Sequence, residues 1–168
     1  MAVHRHRFAV WTAARAVSRN FTSTAVVEMA IDKTDLRKFA EGSKHITAKT
    51  WREFHIRACN QLIKSLKQSN AKNPSYGRAA KIVAVYLKAS VIIVNNIKDD
   101  KMEFIHPPID YILLSALAKH TKIHGLRTKK WTQLNKTAYW ELVELIGKHD
   151  LPLNWKLEEW WNPAREKK

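Results

Sequence analysis

The chain has 168 residues, enough for one domain with a sizeable core. Hydrophobic residues make up 45% of it, which excludes a disordered tail, and its single cysteine, Cys59, cannot form an internal disulfide. Lysine and arginine number 30 against 15 acidic residues, so the formal net charge is +15. We therefore expect a folded cytoplasmic protein whose partner is negatively charged.

The positive charge is concentrated in two acid-poor segments. Residues 44–98 contain 11 basic residues and one acid, and residues 111–140 contain six basic residues and no acid. Because a solvated surface usually mixes both signs, these segments favour a polyanionic partner over a merely basic surface. No apolar stretch is long enough to span a bilayer, and none is paired with a basic face. We expect a monomer that binds nucleic acid, and no membrane.

The predicted elements are all helical, with proline and glycine at their limits. No segment alternates apolar and polar residues as a strand does. Asn73 and Pro74 separate the two longest helices, and Gly42 and Gly147 each end one. The sequence therefore predicts one compact all-α domain over residues 1–168. In chain order, the predicted helices cover residues 6–19, 22–31, 35–40, 50–67, 76–94, 107–120, 135–146 and 154–161.

For two of these helices, specific residues mark the predicted start. Thr50 and Glu53 have the spacing of a capping box, which places a helix start at Thr50. Proline is tolerated in a first helical turn, so Pro108 near the first position places Asp110 inside the first turn. The predicted connecting loops are a polar one, residues 95–106, and a basic one, residues 121–134.

The first 27 residues allow two interpretations. They carry four arginines, two histidines and no acid, as a mitochondrial presequence does. We favour a mature first helix instead, because Phe8, Trp11, Arg15 and Val17 give it a bulky stripe of the kind that packs into a core.

The helix predicted over residues 76–94 is apolar nearly all round, yet it carries Lys81 and Lys88. The two lysines are seven residues apart and share one stripe. Burial disfavours the ammonium form and lowers the pKa of a lysine, and a neutral amine can form a Schiff base. Lys81, nearer the helix start, is the candidate nucleophile. The alternative for Lys81, and the preferred interpretation for Lys88, is a long stem that carries the ammonium to water.

Asp110 follows two prolines that fix its direction. Near a neutral lysine, this carboxylate could accept a proton or stabilise positive charge. The alternative is a carboxylate that only stabilises the N-terminus of a helix.

Gly77, Lys81 and the segment Pro108-Ile109-Asp110 occur in an order that resembles the helix–hairpin–helix superfamily of DNA glycosylases, and within it the archaeal 8-oxoguanine DNA glycosylases. There a hairpin glycine precedes a catalytic lysine, and the aspartate of a Pro-Val-Asp segment opens the next helix. The 29-residue interval from Lys81 to Asp110 is similar to that of the archaeal branch. The chain departs from the superfamily in its short length and in residues 73–77, which replace the glycine-rich hairpin.

The resemblance implies a helix–hairpin–helix glycosylase-like fold and a DNA N-glycosylase, which would bind double-stranded DNA and be associated with the nucleoid. Such an enzyme flips a damaged or modified base out of the duplex. The base would be 8-oxoguanine, in repair, or a hypermodified phage base, in defence. Lys81 would attack the sugar C1′ with help from Asp110, and a Schiff base would permit strand cleavage at the abasic site. Alternatively, Asp110 directs water in a monofunctional enzyme, or the chain is a non-enzymatic basic helical DNA-binding protein. An RNA-binding or toxin-like protein is a third alternative.

Other residues are expected to support this site. Trp11 lies among arginines and could stack on a flipped base, although core packing is its alternative. His106 is a candidate proton donor near Asp110, although a capping role is the favoured alternative for it, and Gly77 and Arg78 are placed with it at the substrate. No metal or cofactor is expected, because the histidines lack the spacing of a metal site. The predicted DNA-phosphate contacts, for which plain solubility is the alternative, are Lys119, Lys122, Arg127, Lys129, Lys130 and Lys136.

Overall fold

The computed structural model describes residues 2–42, 45–94, 100–151 and 153–161. Within these ranges the chain is all-helical without a strand, which confirms the predicted fold class. The α-helices are α1 (Ala2–Val17), α2 (Thr24–Asp32), α3 (Leu36–Glu41), α4 (Ala48–Gln68), α5 (Tyr76–Leu87), α6 (Tyr111–His120) and α7 (Lys136–Gly147). Short 3-10 segments lie at Asp100–Glu103, Trp131–Gln133 and Trp155–Trp160. Residues 95–99 of the predicted loop 95–106 lie outside the described ranges.

Helix α5 is the centre of the fold. It packs against α1, α3, α4, α7 and the Trp131–Gln133 segment. Ten of its 12 residues are buried, and the two that are not are Arg78 and Lys81. A helix that is apolar on all sides is stable only when other elements cover it, so the remaining helices are arranged around α5.

The long helix predicted over residues 76–94 changes its winding near the middle. Beyond α5, the chain continues as one π-helical segment, Lys88–Ile92, in which the hydroxyl of Ser90 donates to the carbonyl of Tyr86 at 2.8 Å. A π-helical segment inserts an extra residue per turn and is often found at functional sites. Lys88 therefore lies where the winding changes.

Local hydrogen bonding moves several helix ends from their predicted positions. Helix α4 starts at Ala48, because Thr47 is its N-cap. Thr47 Oγ1 accepts from the Thr50 amide at 3.2 Å, and Thr50 Oγ1 accepts from the Thr47 amide at 2.9 Å. The capping box predicted for Thr50 and Glu53 is therefore wrong. Gly147, predicted to stop a helix, is the last residue of α7.

The bulky residues of α1 predict that they pack into the core, and this prediction holds only in part. Val17 is buried, but Phe8 and Trp11 are 53% and 52% exposed. The small residues Ala9, Ala13 and Ala14 form its buried face instead, which lets α1 pack closely on α5. No helix in the described part of the chain has the length and hydropathy needed to cross a membrane.

Candidate active site

A pocket of about 400 Å³ lies between α1, the end of α5 and the start of α6. This volume is within the range of small-molecule sites. Its walls are mostly apolar, and its charged groups form two pairs, Lys81 with Asp110 and Lys88 with Glu158. The other lining residues are Phe8, Thr12, Ala16, Val85, Ala89, Ile93, Pro108 and Trp161.

The first pair joins the two residues that the sequence singles out as catalytic. Lys81 Nζ donates to Asp110 Oδ2 at 3.0 Å, although 29 residues separate them in the chain. Their side chains are 12% and 9% exposed, and both line the pocket. Lys81 therefore does not extend freely into solvent.

Asp110 is held by its position at the start of α6. It is the N-cap of that helix, one residue outside it, rather than part of its first turn as predicted. Pro108 correspondingly lies before the helix. Asp110 Oδ1 accepts from the Leu113 amide at 3.1 Å, and Trp161 Nε1 donates to the same carboxylate at 3.3 Å. With Lys81, three donors fix both oxygens of one carboxylate and set its direction.

Lys81 has a second partner besides Asp110. Its Nζ lies 4.6 Å from the ring centre of Trp131. A carboxylate and an aromatic face both stabilise a cation. The purely apolar surroundings that the sequence predicts for this amine are therefore not found.

Gly77 makes the position of Trp131 possible. A Cβ on Gly77 would lie 1.9 Å from the carbonyl oxygen of Trp131, so only glycine permits this approach. The Gly77 amide donates to Leu134 O at 3.0 Å, and Ser75 Oγ donates to Thr132 O at 2.7 Å. Gly77 therefore packs the Trp131–Gln133 segment against α5 and does not line the pocket, where the sequence places it.

The second pair, Lys88 with Glu158, lies in the same pocket. Lys88 Nζ donates to Glu158 Oε2, so Lys88 does not simply extend to water as the sequence suggests. The other carboxylate oxygen, Glu158 Oε1, is buried and has no hydrogen-bond partner in the described part of the chain. An acceptor of this kind is costly to leave unsatisfied, so a ligand that donates to it would be stabilised.

Behind the pocket lies a set of hydrogen-bonded side chains that we call the buried polar cluster. It ties α4 and α7 to the start of α5 and to the segment before Asp110. Its members are Trp51, His55, Tyr76, His106, Tyr139 and Trp140. Cys59 lies beside it, and burial raises the pKa of its thiol, which argues against a nucleophilic cysteine.

His106 belongs to this cluster and not to the pocket, which corrects its predicted place at the substrate. Its Nε2 accepts from Trp51 Nε1 at 3.1 Å, and its Nδ1 is 2.9 Å from the Tyr139 hydroxyl. Burial lowers the pKa of His106 to about 3, and that of His55 also lies well below its usual value, mainly because of burial. Both rings are therefore neutral at pH 7. Because His106 lies four residues before Asp110, it anchors the segment that presents this carboxylate.

Arg78 also supports the fold away from the pocket. Its guanidinium donates to Asn73 O at 2.8 Å and to Lys72 O at 3.3 Å, and it lies 4.6 Å from the ring centre of Phe21. Burial lowers the pKa of this arginine. Arg78 thus closes the loop between α4 and α5, and its predicted place at the substrate is also corrected.

The predicted DNA-contacting residues are at the surface. Trp11 lies on the exposed face of α1 and does not line the pocket, although its neighbour Phe8 does. All six predicted phosphate-contacting cations are exposed, and none forms an ion pair with a described residue: Lys119, Lys122, Arg127, Lys129, Lys130 and Lys136.

Sequence reasoning missed three contributors to the pocket, namely Trp131, Glu158 and Trp161. Each comes from the C-terminal part of the chain, 50 or more residues from its partner lysine or aspartate. No local pattern indicates such contacts. The nearest signal is the high tryptophan content, seven in 168 residues.

Comparison of the chain with protein-family models, curated proteins and solved structures finds no significant match. Within the described residues, no three histidine, cysteine or acidic side chains come together as metal ligands would. The function therefore has to be argued from the pocket itself.

Proposed function

We propose that the chain is a DNA N-glycosylase that flips a damaged or modified base out of the duplex and excises it. The observation that carries this proposal is the contact between Lys81 Nζ and Asp110 Oδ2, 3.0 Å, at the wall of a 400 Å³ apolar pocket. The family resemblance leads to the same two residues. An amine and a carboxylate in contact are the groups needed to displace a base from its sugar.

The reaction requires Lys81 to act as a neutral amine. As a flipped nucleotide enters the pocket and displaces water, one ammonium proton of Lys81 passes to the Asp110 carboxylate. The Lys81 nitrogen then forms a bond to the sugar C1′ while the glycosidic C1′–N bond breaks. The bonding pair leaves with the base, which takes up a proton from the secondary ammonium that the attack forms on Lys81. Opening of the C1′–O4′ bond gives the Schiff base, with Asp110 carrying the transferred proton to O4′.

The second ion pair supplies hydrogen-bonding groups for the base. Apolar side chains can bury its faces, whereas Lys88 can donate to a ring carbonyl and Glu158 can accept from a ring N–H. The unpaired oxygen of Glu158 supports this assignment, because a base N–H would satisfy it. An oxidised purine such as 8-oxoguanine carries both kinds of group, and so do hypermodified pyrimidines of the uracil type.

The surface charge supports DNA as the substrate. The exposed cations at the end of α6 and in the basic loop can neutralise phosphates, and each such contact adds salt-dependent affinity. Because these contacts read no sequence, the choice of target would depend on the pocket.

One experiment tests the proposal directly. The purified chain is incubated with duplex oligonucleotides that carry 8-oxoguanine, other lesions or phage-type modified bases, and abasic products and borohydride-trapped complexes are measured. We expect excision of at least one base, loss of trapping in Lys81→Gln, and normal trapping in Lys64→Gln, which changes an exposed lysine on α4. Excision without trapping would support the monofunctional mechanism, in which Asp110 directs water.

The second candidate is a DNA-binding protein without catalysis. The same ion pair favours it, because Lys81 and Asp110 could simply stabilise the junction of α5 and α6. This candidate predicts no excision of any base, and unchanged DNA binding in Lys81→Gln and Asp110→Asn. The RNA-binding alternative is tested by competition between duplex DNA and structured RNA at fixed salt.

A further inference from the structure

The exposed face of α1 combines aromatic and cationic side chains. Phe8 and Trp11 are about half exposed, and their ring centres lie 6.3 Å apart at an angle of 31°. Arg7 and Arg15 are exposed on either side of Trp11 along the helix. We call these four residues the α1 ridge.

The ridge differs from an ordinary solvated surface. Two large aromatic rings at half exposure leave a substantial apolar area in water, which usually marks a binding surface. No acid precedes Glu28 in the chain, and neither Arg7 nor Arg15 forms an ion pair with a described residue. A partner for this surface therefore has to offer both negative charge and flat apolar faces.

The position of the ridge relates it to the pocket. Phe8 belongs to both, and Thr12 and Ala16, one and two turns further along α1, continue the pocket wall. Trp11 lies outside that wall, on the rim. A strand that delivered one nucleotide into the pocket would thus have its neighbouring bases and phosphates close to the ridge.

We infer that the α1 ridge binds the DNA strand next to the flipped nucleotide. Trp11 stacks on the base that loses its neighbour when the target leaves the duplex, and Phe8 supports the indole. Arg7 and Arg15 contact the flanking phosphates. Stacking on an aromatic ring tolerates any base, which suits a surface that must work at many sequences. This inference rests on the proposed function, because it requires an extruded nucleotide.

Equilibrium binding separates the two contributions. The full chain is titrated with a duplex that contains one tetrahydrofuran abasic analogue and with the same duplex intact, at several salt concentrations. We expect Trp11→Ala to weaken binding to the abasic duplex by about tenfold or more, with little change for the intact duplex. We expect the double variant Arg7→Gln/Arg15→Gln to weaken binding to both, and to lower the slope of log affinity against log salt by about two.

Matched variants keep the test specific. Met29→Ala removes an equally exposed apolar side chain from α2, and Lys33→Gln/Lys148→Gln removes two exposed charges that lie outside both acid-poor segments. Both should bind as the unmodified chain does, and circular dichroism checks that every variant is folded. Equal binding of Trp11→Ala and the unmodified chain to the abasic duplex would overturn the inference, as would a stronger preference for structured RNA.

The test also distinguishes failure of the inference from failure of the proposed function. If the chain excises a base while the ridge variants bind and act normally, only the inference fails. If no base is excised but Trp11→Ala selectively loses affinity for the abasic duplex, the α1 ridge is still a DNA-binding surface and the glycosylase proposal fails.

Discussion

The pocket and the buried polar cluster are both groups of polar side chains inside an apolar fold, but they solve the problem of burial in opposite ways. In the cluster, neutral rings and hydroxyls satisfy one another, and His106 and His55 give up their charge. In the pocket, two lysines lie in contact with two acids beside a 400 Å³ cavity. Burial without an opposite charge disfavours the charged form of a group. The cluster therefore offers a ligand no charged group, whereas the pocket presents amines and carboxylates in contact.

The two regions are also connected through the backbone. Tyr76 of the cluster lies five residues before Lys81, and His106 lies four residues before Asp110. The cluster thus holds the two chain segments that present the ion pair. We therefore expect changes in the pocket to reduce activity at little cost in stability, and changes in the cluster to reduce stability first.

The largest expected effect comes from Asp110→Asn. Asparagine is as good an N-cap as aspartate, so α6 keeps its cap while the proton acceptor and the partner of Lys81 are lost. We expect single-turnover excision to slow by about 10²- to 10⁴-fold, the usual contribution of a general acid or base. Asp110→Ala removes the cap as well and should cost about 1 kcal/mol more in urea unfolding. Normal excision by Asp110→Asn would remove Asp110 from the mechanism.

The cluster should make the protein less stable in acid. The folded-state pKa of His106 is about 3, below its unfolded value of about 6.5. Above pH 6.5 the ring is neutral in both states. As the pH falls below that value, the unfolded chain binds the proton and the folded chain does not, so stability declines until about pH 3. The same sign applies to His55. His106 contributes a slope of up to about 1.4 kcal/mol per pH unit.

Urea unfolding between pH 7 and pH 5 measures this slope, with a loss of roughly 2 kcal/mol expected from His106 and a further loss in the same direction from His55. His106→Gln, which cannot titrate, should be less stable at pH 7 but lose stability less steeply on acidification. An identical slope in the variant would mean that His106 is not the neutral, buried group described above.

A smaller effect is expected from Gly77→Ala, which changes the contact between α5 and the Trp131–Gln133 segment. The added methyl group meets the backbone of Trp131, so this segment must move. We expect a loss of about 1–3 kcal/mol in unfolding free energy, typical of overpacking. Because Trp131 covers Lys81, activity should fall as well. Gly147→Ala is the control, since a Cβ there meets nothing within 4 Å. Equal stability of the two variants would contradict the close approach.

The parts of this account that are local in sequence could be predicted. The all-α class and the apolar character of α5 follow from periodicity, and the proline spacing places Asp110 close to the start of α6. Lys81, in the second turn of α5, and Asp110, the N-cap of α6, are in contact, as the resemblance implies.

The parts of the account that depend on the direction of a side chain, or on contacts between distant segments, could not be predicted from the sequence. His106 is near Asp110 in sequence, but its ring points into the core, since neighbouring residues of an extended segment face different ways. The resemblance assigns Gly77 to a hairpin, whereas the structure requires glycine at this position because the backbone of Trp131 approaches it closely. The same limit applies to Trp131, Glu158 and Trp161, whose contacts with the pocket depend on how the C-terminal segments fold back.

The central claim is that the amine of Lys81 attacks the sugar, and locating the covalent bond tests it most directly. The chain is reacted with a substrate duplex in the presence of borohydride, digested with protease and nuclease, and analysed by mass spectrometry. The account predicts a reduced sugar adduct on Lys81 alone. An adduct on Lys88 or on any other amine, or excision that leaves no adduct, would contradict it.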